Sequence, residues 1–172
     1  MSRDDREEFV SLVNVSREFL SPWVVLPDTF EKFDKYLDRF AGVSAECILI
    51  CVRETGVIAG TASISEIIRG PFQRATVGYN SFAASARRGY MAEGFKLIFW
   101  FAFEELGLHR LEADIQPANV PSLKFAEKVG FRQEGYSPGF AFINGGWRDH
   151  ERWAVTKHSV FSLGHIGPTA AR

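Results

Sequence analysis

Between Arg74 and Gln116 the chain reads as a strand, a long amphipathic helix and a second strand, and this unit limits the fold more than any other stretch. Arg74 to Phe82 has the pattern of a strand and ends in the small residues Ala83, Ala84, Ser85 and Ala86. In the helix that follows, Met91, Phe95, Ile98, Phe99, Ala102 and Leu106 fall on one face, and Gly107 stands where a left-handed residue closes a helix. Leu108 to Gln116 is a strand again. Two strands joined through a crossover helix lie parallel, and the helix must bury its apolar face on their sheet. The expected class is therefore mixed α/β around one sheet.

The flanking segments extend that sheet. Residues 5 to 20 read as one helix with Phe9, Leu12, Val13, Phe19 and Leu20 on a stripe, ended by Ser21-Pro22. Thr29 opens a second helix, over about residues 29 to 41, that stops at Gly42. Strands at about 46 to 53 and 57 to 67 turn at Glu54-Thr55-Gly56, and strands at about 131 to 143 and 147 to 156 turn at Asn144-Gly145-Gly146, a strong hairpin signal. Asn119 caps a helix that begins under Pro121 and runs to Gly130. The order is helix, helix, three strands, helix, strand, helix, two strands, with a loose tail from about His158. At 172 residues, one domain spanning the whole chain is expected.

Charge excludes broad classes of partner. Lys plus Arg is 20 against Asp plus Glu 21, so no bulk field recommends nucleic acid or an anionic membrane. The longest apolar run, Leu97 to Phe103, is far short of the roughly 20 residues that span a bilayer, and the start, Met1 to Glu8, is charged in both signs, unlike a secretory signal. A cytoplasmic address is expected. Cys47 and Cys51, about 13 Å apart along one strand, are too distant for a disulfide and read as buried free thiols.

Common catalytic signatures are missing: no phosphate-binding Walker loop, dinucleotide fingerprint, zinc-protease helix, CxxC or GxSxG elbow is present. His109, His150, His158 and His165 lack metal-ligand spacing, so no metal is expected. Two constellations remain. Arg87-Arg88-Gly89-Tyr90-Met91-Ala92 joins the strand end to the long helix, where free helix N-terminal amides, a glycine and two arginines suit a phosphate or pyrophosphate; a solvated basic turn is the plain alternative. Asn119 and Ser122 sit at the start of the next helix, where a cap and a first-turn polar residue would serve structure alone.

Taken together, the stretch resembles the GNAT superfamily of acetyl-CoA-dependent N-acetyltransferases. Arg87 to Glu93 resembles its pyrophosphate loop, Leu106 to Ala113 the helix-to-strand passage, and Asn119-x-x-Ser122 with Glu127-Lys128-Val129-Gly130-Phe131 the following motif. Ile68 to Phe72, Val77-Gly78-Tyr79 and Gly146-Trp147-Arg148-Asp149-His150 are similar to the RimJ/RimL-like branch. The departures are Ala86 for the usual Gln or Arg, Arg87 where Gly is common, Met91 for a small residue, and Ala141 where some members carry a carboxylate. Members usually begin with a strand, whereas this chain starts almost at the first helix; either the start is truncated or an edge strand is missing.

The resemblance implies a mostly antiparallel mixed sheet with a splayed central parallel pair, and direct transfer of acetyl to an amine in a ternary complex. It implies that backbone amides of Asn80, Ser81, Phe82 and Ala83 receive the thioester carbonyl and pantetheine, while those of Arg88 to Ala92 hold the pyrophosphate beside Arg87. It also implies that Ser122 protonates the departing thiolate, positioned by Asn119. On the strand, Glu112 and Asp114 share a face, and Asp114 matches a carboxylate used as base in some members. The implied acceptor is a protein N-terminal α-amine; a small amine (antibiotic, polyamine or amino-acid derivative) and a non-catalytic CoA-holding module are the alternatives. Acceptor specificity is expected from the segments around Pro22-Trp23, Ile68 to Phe72 and Tyr136 to Phe142. The expected state is a monomer or homodimer with no direct nucleic-acid or membrane partner.

Overall fold

The computed structural model describes residues 1–42 and 44–162. Its six strands are β1 (Glu46–Cys51), β2 (Ile58–Ile68), β3 (Arg74–Ser81), β4 (Arg110–Ile115), β5 (Arg132–Ile143) and β6 (Gly146–Thr156), in the spatial order β1-β2-β3-β4-β6-β5. Every neighbouring pair is antiparallel except β3 and β4. That parallel ladder is short: Arg74, Ala75 and Thr76 pair with Arg110, Leu111 and Glu112, and there it ends. Beyond these three pairs the strands diverge, as the expected splay requires.

The crossover helix α4 (Tyr90–Trp100) covers one face of the sheet. Phe95, Ile98 and Phe99, with Ala102 and Phe103 beyond them, pack on Ala62, Ile64, Val77, Leu111 and Ala113 in the larger core. Phe95 lies edge-on to Tyr79 at 5.2 Å and to Phe99 at 5.6 Å, geometry that suits the ring quadrupoles. A smaller cluster unites α1 (Arg6–Val15) and α3 (Phe30–Asp38) with the sheet: Phe9, Val13 and Phe33 pack with Ile58 and Phe82. α5 (Val120–Val129) brings Ala126 and Val129 to the larger core and starts at the mouth of the splay.

Several expectations shift in physically instructive ways. The helix expected over residues 5 to 20 is α1 followed by a short α2 (Arg17–Leu20), interrupted at Ser16. Ser16 is buried, and its hydroxyl accepts the Ala83 backbone N–H at 3.0 Å, tying the break to the end of β3. The long helix leaves α-geometry after Trp100, and Phe101–Glu105 form one π turn, with Leu106 N–H reaching Phe101 carbonyl at 2.9 Å. Cys51 is exposed and Cys47 half-buried, not both buried, because β1 is an edge strand whose register shifts between Ile50 and Cys51. The tail is not loose at His158: α6 (Lys157–Ser162) continues from β6 and buries Val160 in the larger core. Residues 163–172, including His165, lie outside the described residues.

One glycine holds the sheet and α4 in close register. A Cβ on Gly60 would lie 2.4 Å from the Asn80 carbonyl oxygen and 2.4 Å from Met91 Sδ. Gly60→Ala is therefore expected to force β2 and β3 apart beneath α4 and to cost about 1–3 kcal/mol, the range of core overpacking. Urea unfolding of the variant beside the wild type measures it, and an unchanged midpoint would contradict the packing.

Candidate active site

Two cavities flank the splay. The larger, about 390 Å³, runs from the gap between β3 and β4 to the start of α4. Gly89 is the N-cap of α4 with φ 89°, and no side chain caps the helix there. The first helical bond is Glu93 N–H to Gly89 carbonyl at 3.1 Å, so the amides of Tyr90, Met91 and Ala92 lack an acceptor within the helix, as a helix N-terminus dictates. Arg87, Gly89, Met91 and Ala92 line the cavity. Arg88 instead extends over the Tyr90 ring, 5.5 Å from its centroid. Arg87, standing where the resemblance leads one to expect glycine, still adopts the left-handed φ of 62°. The loop geometry thus survives the substitution, at the cost of about 1–2 kcal/mol that a side chain bears there.

The opposite wall of this cavity escaped the sequence reading. Lys124 and Lys128 of α5, with Pro121 and Phe125, face Arg87 across the cavity. Their i,i+4 spacing one turn into the helix after Asn119 is the signal that could have revealed them. Arg87 and the two lysines line one space together with the open amides, an environment made for a polyanion.

The strand-end donors need correcting. Asn80 and Ser81 line the cavity, whereas Phe82 and Ala83 do not. Phe82 is fully buried against Phe9, and its amide bonds Ala59 carbonyl at 3.0 Å; the Ala83 amide is bound to Ser16. Both amides are already satisfied and have no capacity for a ligand carbonyl. Because a strand alternates its amides between edges, a Phe82 N–H that faces β2 turns those of Ser81 and Tyr79 toward the open gap.

The second cavity, about 290 Å³, lies on the other side of the splay, and Trp23, Val24, Tyr79, Asn80, Asn119 and Ser122 line both. Asn119 caps α5, its side chain accepting Ser122 N–H at 3.3 Å, and this fixes the first turn. The Ser122 hydroxyl donates to the Tyr79 hydroxyl at 2.9 Å, while Tyr79 donates to the Ser122 carbonyl at 3.1 Å. Burial pushes the Tyr79 hydroxyl up to about 12, against the opposing effect of its hydrogen bond with Ser122, so it stays a proton donor. Tyr79 was known only as part of a sequence pattern; its pairing with Ser122, 43 positions away, exists only in the fold. The loop carrying Trp23 is tied down by Gln116 Nε2, which donates to the Trp23 carbonyl at 3.3 Å, and by Asn144 Nδ2, which donates to the Pro22 carbonyl at 2.7 Å. Trp23 thus reaches the cleft, whereas no residue of Ile68–Phe72 or Tyr136–Phe142 lines either cavity.

The two carboxylates on β4 have different surroundings. Glu112 bonds Arg110 at 2.7 Å and Arg74 at 2.9 Å, with Arg152 at 3.6 Å, and it lines neither cavity. It is a structural anchor. Asp114 lines the second cavity, with its Oδ1 and Arg152 Nε buried against each other at 2.5 Å as an ion contact rather than an aligned hydrogen bond. Burial pushes the Asp114 carboxyl above the usual carboxylate range, and Arg152 opposes that rise. His150, placed by the sequence among scattered histidines, lines the same cavity and is 4% exposed. The arrangement can hold an anionic carrier on one side and an amine on the other, with a hydroxyl pair at the shared wall.

Comparison with known proteins bears on this arrangement. Residues 1–132 match the family model described as an acetyltransferase (GNAT) domain. A probable N-acetyltransferase YjcK of Bacillus subtilis (strain 168) is 32% identical over 159 residues, covering 88% of this chain and 88% of its own. The [ribosomal protein uS5]-alanine N-acetyltransferase of Escherichia coli (strain K12) is 31% identical over 149 residues, covering 82% and 77%. Among solved structures, Mycobacterium smegmatis RimJ in complex with CoA-disulfide shares the fold with a TM-score of 0.84 at 21% identity, covering 96% of this chain and 87% of that one. The spermidine N-acetyltransferase of Vibrio cholerae in complex with CoA and spermine does so with a TM-score of 0.78 at 18% identity, covering 94% and 95%.

A Cβ on Gly89 would meet nothing within 4 Å, so the penalty for a side chain there lies in the positive φ and in the space above the open amides rather than in a clash inside the protein. Gly89→Val is expected to weaken acetyl-CoA binding at least about tenfold, which corresponds to 1.4 kcal/mol. Isothermal calorimetry reads this directly, and wild-type affinity in the variant would move the anion site elsewhere.

Proposed function

The chain belongs to the GNAT acetyltransferase family, and from that premise we propose that it transfers acetyl from acetyl-CoA to the N-terminal α-amine of a ribosomal or other protein. The observation that carries the reading is the meeting of two cavities at one wall, formed by Tyr79, Asn80, Asn119 and Ser122. A thioester delivered from the larger cavity and an amine from the smaller one would meet there without an acyl-enzyme. We take the whole chain as one such domain, acting as a monomer or homodimer.

In this reading the amides of Tyr90 to Ala92, with Arg87, Lys124 and Lys128, hold the phosphates of acetyl-CoA. The gap-facing amides of Tyr79 and Ser81 receive the pantetheine and the polarised carbonyl, which fixed donors stabilise best where charge develops. Ser122 donates a proton to the departing thiolate, and Asn119 positions it by capping α5. Asp114 supplies negative charge on the acceptor side, which draws an ammonium in.

The same wall supports a protein terminus over a polyamine. Among the described lining residues of the acceptor cavity, Asp114 is the only carboxylate, and it is already paired with Arg152, while Arg39 adds positive charge. A polyamine carries several charges that would want several free carboxylates; a peptide terminus brings one ammonium and neutral amides. The relation to the uS5-alanine enzyme supports the same choice.

A panel of alanine-initiated peptides and spermidine, with acetylated products quantified by mass spectrometry, tests the acceptor. Peptides are expected to turn over with the higher kcat/KM; preference for spermidine would overturn the acceptor class. Within the same assay Ser122→Ala is expected to lower kcat about 100-fold, a typical contribution of a positioned acid, with KM for acetyl-CoA within about twofold. Unchanged turnover would reduce Ser122 to a helix-start residue.

A further inference from the structure

His150 is the buried titratable side chain of the acceptor cavity that the mechanism above leaves unused. It sits on β6, 4% exposed, with its ring edge against the strand: Nδ1 lies 3.0 Å from the Arg148 carbonyl oxygen. A carbonyl only accepts, so Nδ1 carries the hydrogen, and in the neutral ring Nε2 carries the lone pair. Among the described residues Nε2 has no hydrogen-bond partner, yet it is not one of the sealed, unsatisfied atoms, and His150 is a lining residue of the second cavity. Phe140 from β5 packs on the ring at 5.4 Å, and Ser137 is its cross-strand partner, so β5 brings no charge against it.

The charges that face His150 come from the other elements. Asp114 on β4 stands opposite Arg152, two residues along β6 from His150 on the same side of the sheet, and diagonal neighbours of this kind are about 7–8 Å apart. The two groups interact electrostatically. Arg152 is engaged by Asp114 and Glu112, and Glu112 is held by Arg74 and Arg110 as well. Arg39 and Tyr36 border the same cavity from the α3 side. Asp149, next to His150 on β6, bonds the Tyr136 hydroxyl and Gly139 N–H and also interacts electrostatically with His150. His150 thus presents an acceptor at the cavity wall, with the carboxylates of Asp114 and Asp149 within reach of its charge.

We propose that Nε2 of His150 takes the proton from the acceptor amine, with the Asp114 carboxylate stabilising the imidazolium; this rests on the acetyl-transfer reading above. The amine enters as an ammonium. One N–H proton passes to Nε2, directly or through one water, and the freed lone pair forms the N–C bond at the thioester carbonyl. The C–S bond breaks, the sulfur takes the Ser122 proton, and the second proton released by the nitrogen restores that hydroxyl. The imidazolium returns its proton to solvent, and no oxidant or further reactant is needed.

The test uses the full-length enzyme, acetyl-CoA and an alanine-initiated peptide, with kcat/KM measured across pH. His150→Asn keeps a donor for the Arg148 carbonyl while removing the basic nitrogen; His150→Gln is the second variant should the first be thermally unstable. The expected result is a loss of at least about 100-fold near pH 7, disappearance of the acid limb, and partial rescue by added imidazole, with calorimetric acetyl-CoA affinity unchanged. Asp114→Asn is expected to keep the limb but move it to lower pH, since loss of a negative neighbour disfavours the imidazolium. A limb that persists in both His150 variants, or that vanishes in Asp114→Asn alone, overturns the assignment to His150. A wild type that binds acetyl-CoA but acetylates no amine overturns the acetyl-transfer reading itself and this assignment with it.

Discussion

The parallel ladder between β3 and β4 breaks after three residue pairs, and the rest of the molecule is arranged around that break. A parallel strand pair normally satisfies its amides in an unbroken ladder. Here the ladder stops at Thr76 and Glu112, and the chain beyond presents unpaired backbone to a gap rather than to a neighbour. Such a gap is stable only if packing holds its two sides apart. The Phe9, Phe33 and Phe82 cluster does so on one face, and Phe95 with Phe125 braces Tyr79 on the other. The helix that bridges the two strands then delivers its own uncapped N-terminus to the same gap, so the proposed anion and acyl sites share one topological origin.

Charge compensation divides the two sides of the gap. On the side of α4, Arg87, Lys124 and Lys128 gather with open amides around one cavity. On the other side, Asp114 at the cavity wall is paired with Arg152, while Glu112 behind it takes up Arg74, Arg110 and Arg152. The cost of burying charge without a partner accounts for this division under the proposed function, in which only the first side meets a ligand that carries its own compensating charge. The second cavity accordingly suits a substrate of low charge, and His150, Ser122 and Tyr79 line it.

Much of this was legible in the chain. The spacing of Met91, Phe95, Ile98 and Phe99 marks the crossover helix, Asn144-Gly145-Gly146 marks the last hairpin, and Gly89 marks the turn into α4, because each signal is local. The failures are also physical. The break at Ser16 stems from a bond to Ala83, 67 residues away. The exposure of Cys51 follows from its place at the end of an edge strand where the register shifts, and the loss of Phe82 and Ala83 as donors follows from partners in β2 and at Ser16. None of these leaves a trace in periodicity.

By itself the sequence determined the mixed α/β class, the parallel pair and the two helix starts that face it, since hydrophobic period, glycine positions and caps act over a few residues. Only the tertiary structure decided which side chains meet at the gap. The Ser122 and Tyr79 hydroxyls, the unequal fates of Glu112 and Asp114, and the placing of His150 at the second cavity depend on register and strand divergence. Those are properties of how distant segments pack, and no local pattern encodes them.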